Sequence, residues 1–219
     1  GPYCESAAPV ILTGVPQDSN GIFAGEGIID NGDGTATFNS AIAGNGIHEI
    51  EYTYVSGSGC SNSIIREITV FKSPTANVLG TDTVCVGFPN DFSIYLTGTP
   101  PWNITYTNGS DTYNVVTSEN PYIFTSTNPG TYSVTALTDG SGCTGTDLGN
   151  SAELVNWPHP GKPSTNIFSG TTTFCEGENI ILETNPAQIY YWNNGVSTRQ
   201  NTITESGDYW VSIIDENGC

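Results

Sequence analysis

The six cysteines are the residues best equipped for chemistry in this chain, and their spacing points to oxidative pairing. Gly130-Thr131-Tyr132-Ser133-Val134 runs on to Gly142-Cys143, Gly207-Asp208-Tyr209-Trp210-Val211 to Gly218-Cys219, and a looser Gly46-Ile47-His48-Glu49-Ile50 to Gly59-Cys60. The interval from the first glycine to the cysteine is nearly the same in all three. Each closing cysteine has one earlier candidate, and two of these open a matching Cys-x-Gly: Cys85-Val86-Gly87 and Cys175-Glu176-Gly177. This is a tandem repeat with one cysteine pair per unit. About 15 pairings of six cysteines exist. The repeat predicts Cys4–Cys60, Cys85–Cys143 and Cys175–Cys219, since a swap between units would break their equivalence. That pairing leaves no thiol nucleophile and calls for an oxidising location.

Other candidate chemistry is sparse. His48 and His159 fall in different units and fit no metal-ligand spacing. His48 reads as a solvated or half-buried strand residue, and His159 lies between linker prolines. Asp30-Asn31-Gly32-Asp33-Gly34 offers hard oxygens from Asp30 and Asp33 that suit calcium, but Asn-Gly and Asp-Gly are first of all hairpin turns. The turn is the preferred reading, and no cofactor is called for. Strand residues alternate between faces, so Tyr191 and Trp210 should point outward if Tyr190, Trp192 and Tyr209 point in. They are the candidate ligand contacts, for a sugar stacked on a ring or for another protein. No Gly-x-Ser-x-Gly elbow occurs. An enzyme is not expected within this chain.

The elements that must position these residues are strands. Short alternating or β-branched runs lie between Gly, Pro and Asn turns, and helical periodicity is nearly absent. They predict an all-β chain of three tandem immunoglobulin-like β-sandwich domains in an extended array. The boundaries are 3–73, 74–156 (after Lys72-Ser73-Pro74) and 157–219 (from the Pro-rich joint at Trp157-Pro158), with Gly1-Pro2 read as a tag scar. A tryptophan in the third strand (Trp102, Trp192) and a Gly-x-Tyr resembling a tyrosine corner support this fold. The third domain is expected to lack its last strand, leaving an open edge suited to strand addition.

Only four basic residues face 22 acidic ones, a net charge of −18. Such a surface repels phosphate backbones and anionic membranes, and no apolar run is long enough for a spanning helix. Neither nucleic acid nor membrane insertion is expected.

The Cys-x-Gly, the Trp192-Asn193-Asn194-Gly195 turn, the Gly-x-Tyr-x-Val and the Asp-x-x-Gly-Cys resemble the tandem Ig-like and PKD-like repeats of large cell-surface proteins of Bacteroidota. Unit one resembles a second repeat type of those proteins through Leu12-Thr13-Gly14-Val15-Pro16 and Tyr52-Thr53-Tyr54, and unit two a third through Leu96 to Trp102. The resemblance implies a type IX-secreted, gliding-motility adhesin type of protein. It implies an extracellular location and a non-catalytic stalk or spacer role, with surface glycans or cell-surface proteins as partners. The alternatives are a carbohydrate-binding module or an accessory segment of a secreted hydrolase. Asp82-Thr83-Val84 resembles an O-glycan acceptor of such proteins, which makes Thr83 a candidate glycosylation site.

Overall fold

In the computed structural model, which describes residues 2–219, the chain is almost entirely β. Gly1, half of the expected tag scar, lies outside the described residues. The first sequence repeat forms β1 (Tyr3–Cys4), β2 (Val10–Thr13), β3 (Gly21–Ala24), β4 (Ile28–Asp30), β5 (Thr35–Phe38), a one-turn helix α1 (Ser40–Ala43), β6 (Gly46–Val55) and β7 (Ser61–Phe71). The second forms β8 (Ala76–Leu79), β9 (Asp82–Cys85), β10 (Asn90–Leu96), β11 (Trp102–Thr107), β12 (Thr112–Thr117), β13 (Tyr122–Ser126), β14 (Gly130–Thr138) and β15 (Ala152–Trp157). The third forms β16 (Thr165–Ser169), β17 (Ile180–Thr184), β18 (Ile189–Trp192), β19 (Gln200–Ile203) and β20 (Val211–Ile214). The short β1, β4 and β9 carry no readable alternation.

By backbone proximity the chain divides into two compact units. One holds everything up to Thr81, with Asp91–Ser126 and Gly130–Glu153; the other holds Asp82–Asn90, Thr127–Pro129 and Leu154–Cys219.

In the first unit, β6 and β7 form a hairpin paired from Gly46↔Val70 to Val55↔Ser61. It sits in a sheet of order β1-β7-β6-β3, with a second sheet β2-β5-β4. Period-two alternation decides which face is buried: His48, Ile50 and Tyr52 point inward while Ile47 and Glu49 point out. Phe23, Ala36, Phe38, Ile50, Tyr52 and Val70 form one core. Each large apolar side chain buried there stabilises by roughly 1.5–3 kcal/mol. The second repeat adds the sheet β13-β10-β8 and the run β12-β11-β14. Phe92, Phe124, Tyr106 and Tyr132 fill the space with ring centroids 4.2–5.7 Å apart. A register shift between Thr105 and Tyr106 marks an irregularity in the β11–β14 ladder. Across the same stretch the inward phase of β14 moves from Tyr132 and Val134 to Leu137, as a bulge does.

The immunoglobulin-like details are present. Trp102 is buried and its indole N–H donates to the Thr97 carbonyl at 2.9 Å; Trp192 is buried and donates to that of Thr198 at 2.9 Å. The Tyr132 hydroxyl donates to Ser126 Oγ at 2.7 Å, and that of Tyr209 donates to the Glu205 backbone carbonyl at 3.1 Å, closing a tyrosine corner.

In the second unit, β15 runs parallel to β9, from Leu154↔Asp82 to Trp157↔Cys85. Beside them stand a sheet β16-β17-β19 and the pair β18-β20. Ile180, Trp192 and Ile203 are buried, and the enclosed Asn201 amide is matched by Asn194 at 3.0 and 3.2 Å.

Candidate functional site

The cysteines occupy two kinds of turn, and each kind recurs three times. The closing turns are Ser56 to Cys60, Asp139 to Cys143 and Asp215 to Cys219. In each, the first residue's N–H donates to the cysteine carbonyl, at 2.8, 3.0 and 2.9 Å. The glycine before the cysteine donates back to the first residue's carbonyl, at 2.9, 2.9 and 3.1 Å. The first residue's side-chain oxygen accepts the cysteine N–H at 3.1, 3.0 and 2.9 Å. The glycines have φ of 83°, 82° and 82°, the left-handed region that favours glycine. This explains the invariant Gly-Cys of the repeat. The opening turns are alike too: Ala7, Phe88 and Glu178 donate their N–H to the carbonyls of Cys4, Cys85 and Cys175 at 2.9, 3.0 and 3.0 Å.

The bonds join these turns out of step with the expectation. Cys4 is bonded to Cys143 and Cys85 to Cys219, with Cα–Cα distances of 5.5 and 5.6 Å. Cys60 and Cys175 are free and exposed. The predicted pairs Cys4–Cys60, Cys85–Cys143 and Cys175–Cys219 are therefore corrected. The opening turn of one repeat is tied to the closing turn of the next, and two thiols remain where none was expected. The physical reason is that shifting every partner by one repeat preserves equivalence as fully as pairing within a repeat. Parallel strands reinforce the register: Cys4 pairs with Phe71 in β7, and Cys85 with Trp157 in β15.

Asp139 is the buried carboxylate of this system. Burial opposes its ionisation, but donors from Ser141 Oγ (2.6 Å) and from the backbone N–H of Thr99, Cys143 and Ser141 outweigh it. They hold the carboxyl below its ordinary range.

Residues 172–175 belong to no strand, although their counterparts β1 and β9 each pair with a closing strand. An open groove of about 620 Å³ lies among Phe174, Cys175, Ile180, Leu182, Ile203 and Tyr209.

The other sequence candidates fall as follows. Tyr191 and Trp210 are 54% and 61% exposed. Tyr191 pairs with Ser212, which puts Trp210 diagonally across on the same face. The Asn193 amide between them is occupied by backbone: its Oδ1 accepts from Trp210 N–H and its Nδ2 donates to the Asp208 carbonyl. Asp33 accepts from the Thr35 hydroxyl at 2.6 Å and its N–H at 3.0 Å, which lowers its pKa; Asp30 accepts from Phe23 N–H at 3.2 Å. Asp33 thus serves the turn, and Asp30 is taken by strand β3. Among the described residues no group of three or more His, Cys, Asp or Glu is gathered to hold a metal. His48 is buried (6% exposed), not solvated, with Nδ1 against Glu26 and Nε2 against the Gly44 carbonyl, both at 2.8 Å. Thr83 is exposed on β9.

No protein-family model matches the chain, and no curated protein matches its sequence. Among solved structures it is similar to extracellular domains 3–5 of Drosophila OTK at 12% identity and TM-score 0.42, covering 72% of this chain and 59% of that one. It is similar to a structure from a 1.5-MDa bacterial ice-binding adhesin at 15% identity and TM-score 0.36, covering 99% and 80%. Hemolin, an insect immune protein, stands at 11% identity and TM-score 0.39, covering 72% and 44%. The chain spans about half the length of the first structures it matches.

Fold and disulfides define an immunoglobulin-like, disulfide-bonded β protein of the extracellular or cell-surface kind. Among the described residues no helix is long and apolar enough to cross a membrane.

Proposed function

We propose that this chain is a non-catalytic segment of an extracellular repeat array, serving adhesion as a stalk or spacer. One observation carries the reading. Each disulfide ties the opening turn of one sequence repeat to the closing turn of the next, so tension along the array has a covalent path besides the linkers. Boundaries at 3–73, 74–156 and 157–219 suit that register. The repeat motifs extend the proposal to the gliding-motility adhesins of Bacteroidota, exported by type IX secretion. The acidic surface supports it by keeping crowded filaments apart. Small-angle scattering tests the array. A single globule of this length has a radius of gyration of about 17 Å; an array gives a value well above that, and a value matching the globule refutes it.

A second reading rests on Tyr191 and Trp210, exposed on one sheet face as a platform for a surface glycan or protein. Titration of a glycan panel against Tyr191→Ala and Trp210→Ala tests it; binding unchanged by both, or absent from the parent, sinks it. Thr83, exposed, is proposed as an O-glycan acceptor, checked by intact mass of protein from its native host.

A further inference from the structure

The hairpin of β6 and β7 leaves one long edge of its sheet open. On one side β7 is paired with β6 from Gly46↔Val70 to Val55↔Ser61. On the other side β1 covers only Val70 and Phe71. Successive residues of a strand direct their N–H and C=O to opposite sides. Phe71 points to β1, since its carbonyl accepts the Glu5 N–H at 2.8 Å. Cys60 points to the β6 side, since its carbonyl accepts the Ser56 N–H at 2.8 Å. Both fix the same phase: Ser61, Ser63, Ile65 and Glu67 turn their N–H and C=O away from β6. Among the described residues no strand takes them. The run from Ser61 to Glu67 is exposed at every position, Ile64 by 47% and Ile65 by 52%. From Ser61 to Ile65 it carries neither charge nor proline, the usual guards of an edge.

We propose that this edge pairs antiparallel with the same edge of a second copy, about a two-fold axis through Ile64. The strand's match to itself selects this occupant. In an antiparallel pair the outward-directed residues of one strand stand opposite those of the other. With the axis at Ile64, Ser61 meets Glu67 of the second copy and Ser63 meets its Ile65, so every open N–H and C=O finds a partner. An axis at Ser63 leaves Glu67 open, and one at Ile65 needs Thr69, beside the residue that β1 already covers. An axis at Arg66 or Glu67 sets like charges face to face, which costs stability. At Ile64 no like charges meet: Arg66 faces Asn62 of the second copy, and Glu67 faces its Ser61. The two Glu67 carboxylates stand ~20 Å apart at about 3.4 Å per residue, beyond the screening length of about 8 Å at physiological ionic strength. Ile64 packs on Ile64 of the second copy on one face, and the two Ile65 side chains lie diagonally on the other. The net charge of −18 on each copy opposes approach. The pairing therefore strengthens as salt screens it, the reverse of an encounter between opposite charges. This goes beyond a spacer role, because it gives the array a lateral contact that salt admits.

The test reads association, whereas scattering of the dilute monomer reads shape, so either can fail alone. The full chain carries Cys60→Ser and Cys175→Ser throughout, which removes the exposed thiols. Sedimentation equilibrium up to about 1 mM, the weak end of the affinity scale, is expected to show a dimer. That dimer should tighten between about 0.01 and 0.15 M salt. Ile65→Pro removes an N–H that no strand takes, a change that edge strands tolerate. It is expected to raise the dimer Kd about tenfold or more. Ile64→Cys keeps the test independent of how that variant folds. In a glutathione redox buffer it should form a covalent dimer several-fold faster than Ile65→Cys, because only Ile64 faces itself. Amide exchange should slow at Ser61, Ser63, Ile65 and Glu67 as concentration rises. A chain monomeric throughout, a dimer that loosens with salt, a dimer untouched by Ile65→Pro, or faster cross-linking through Ile65→Cys would overturn the proposal.

Discussion

Pulling the chain from its ends gives the most demanding check on the disulfide register. The loops closed by Cys4–Cys143 and Cys85–Cys219 overlap between Cys85 and Cys143. With every strand pulled open, the shortest covalent route from Cys4 to Cys219 crosses to Cys143, runs back along the backbone to Cys85, and crosses to Cys219. At about 3.5 Å per extended residue, the backbone from Cys85 to Cys143 reaches ~200 Å. With both bonds reduced the route is the whole backbone from Cys4 to Cys219, which reaches ~750 Å on the same basis. Removing one bond changes little. Without Cys85–Cys219 the route is the backbone from Cys143 to Cys219, and without Cys4–Cys143 it is that from Cys4 to Cys85. Both come to roughly 270–280 Å.

Single-molecule force spectroscopy between terminal tags reads these lengths as final contour lengths. Cys85→Ser with Cys219→Ser should lengthen the stretched chain by ~60 Å, and adding Cys4→Ser with Cys143→Ser by a further ~480 Å. Bonds confined within repeats give a different signature, because their loops do not overlap. Loss of a Cys85–Cys143 bridge alone would release the whole stretch between those cysteines, about 200 Å. A step of that size from Cys85→Ser would refute the overlapping register.

Two further outcomes test the turns and the groove. Asp139→Asn should cost about 1.5–3 kcal/mol at neutral pH, the range of hydrogen bonds to a charged group. Because the folded carboxyl titrates below its ordinary value, this stabilisation is present above the usual carboxylate range and lost as pH falls through the folded value. The gap between the melting temperatures of parent and variant should therefore begin to narrow as pH falls through about 4 and close only below the lowered folded value; a gap that does not change with pH contradicts the assignment. Fusing the closing strand Ala152–Trp157 after Cys219 should fill the groove by Phe174 and Tyr209. Burial of its Leu, the side chain that faces inward in that strand, contributes roughly 1.5–3 kcal/mol. Scanning calorimetry showing no rise in melting temperature would mean that the groove does not accept a closing strand.

The strands were legible because alternation is a local property: Trp102–Thr107 and Ile189–Trp192 announce their buried faces residue by residue. So were the glycines before Cys60, Cys143 and Cys219, since a left-handed turn needs one. Tyr191 and Trp210 were placed outward by the same alternation. The strands β1 and β9 were not legible. They are very short, they pair in parallel with strands far along the chain, and their hydrogen bonds depend on partners rather than on their own pattern. The burial of His48 was missed because Glu26 and Gly44, which take its ring nitrogens, lie outside its strand.

The disulfide register was hidden for a different reason. Repetition constrains pairing only up to a translation along the array. Pairing within repeats and pairing to the next repeat are both regular, and they differ only in whether end cysteines are left over. The quantity that separates them is which strand lies against the opening cysteine. Cys4 pairs with Phe71 at one end of β7, while Cys60 sits in the turn at the other end, before Ser61, so the length of that strand, roughly 30 Å, keeps the opening sulfur from its own closing turn. The mechanical consequence follows from the same shift. Bridges within repeats act in series, and the loss of any one lengthens the route by its whole loop. Overlapping bridges act partly in parallel, so a single reduced bond is largely covered by its neighbour, and the array keeps its reach until both are lost.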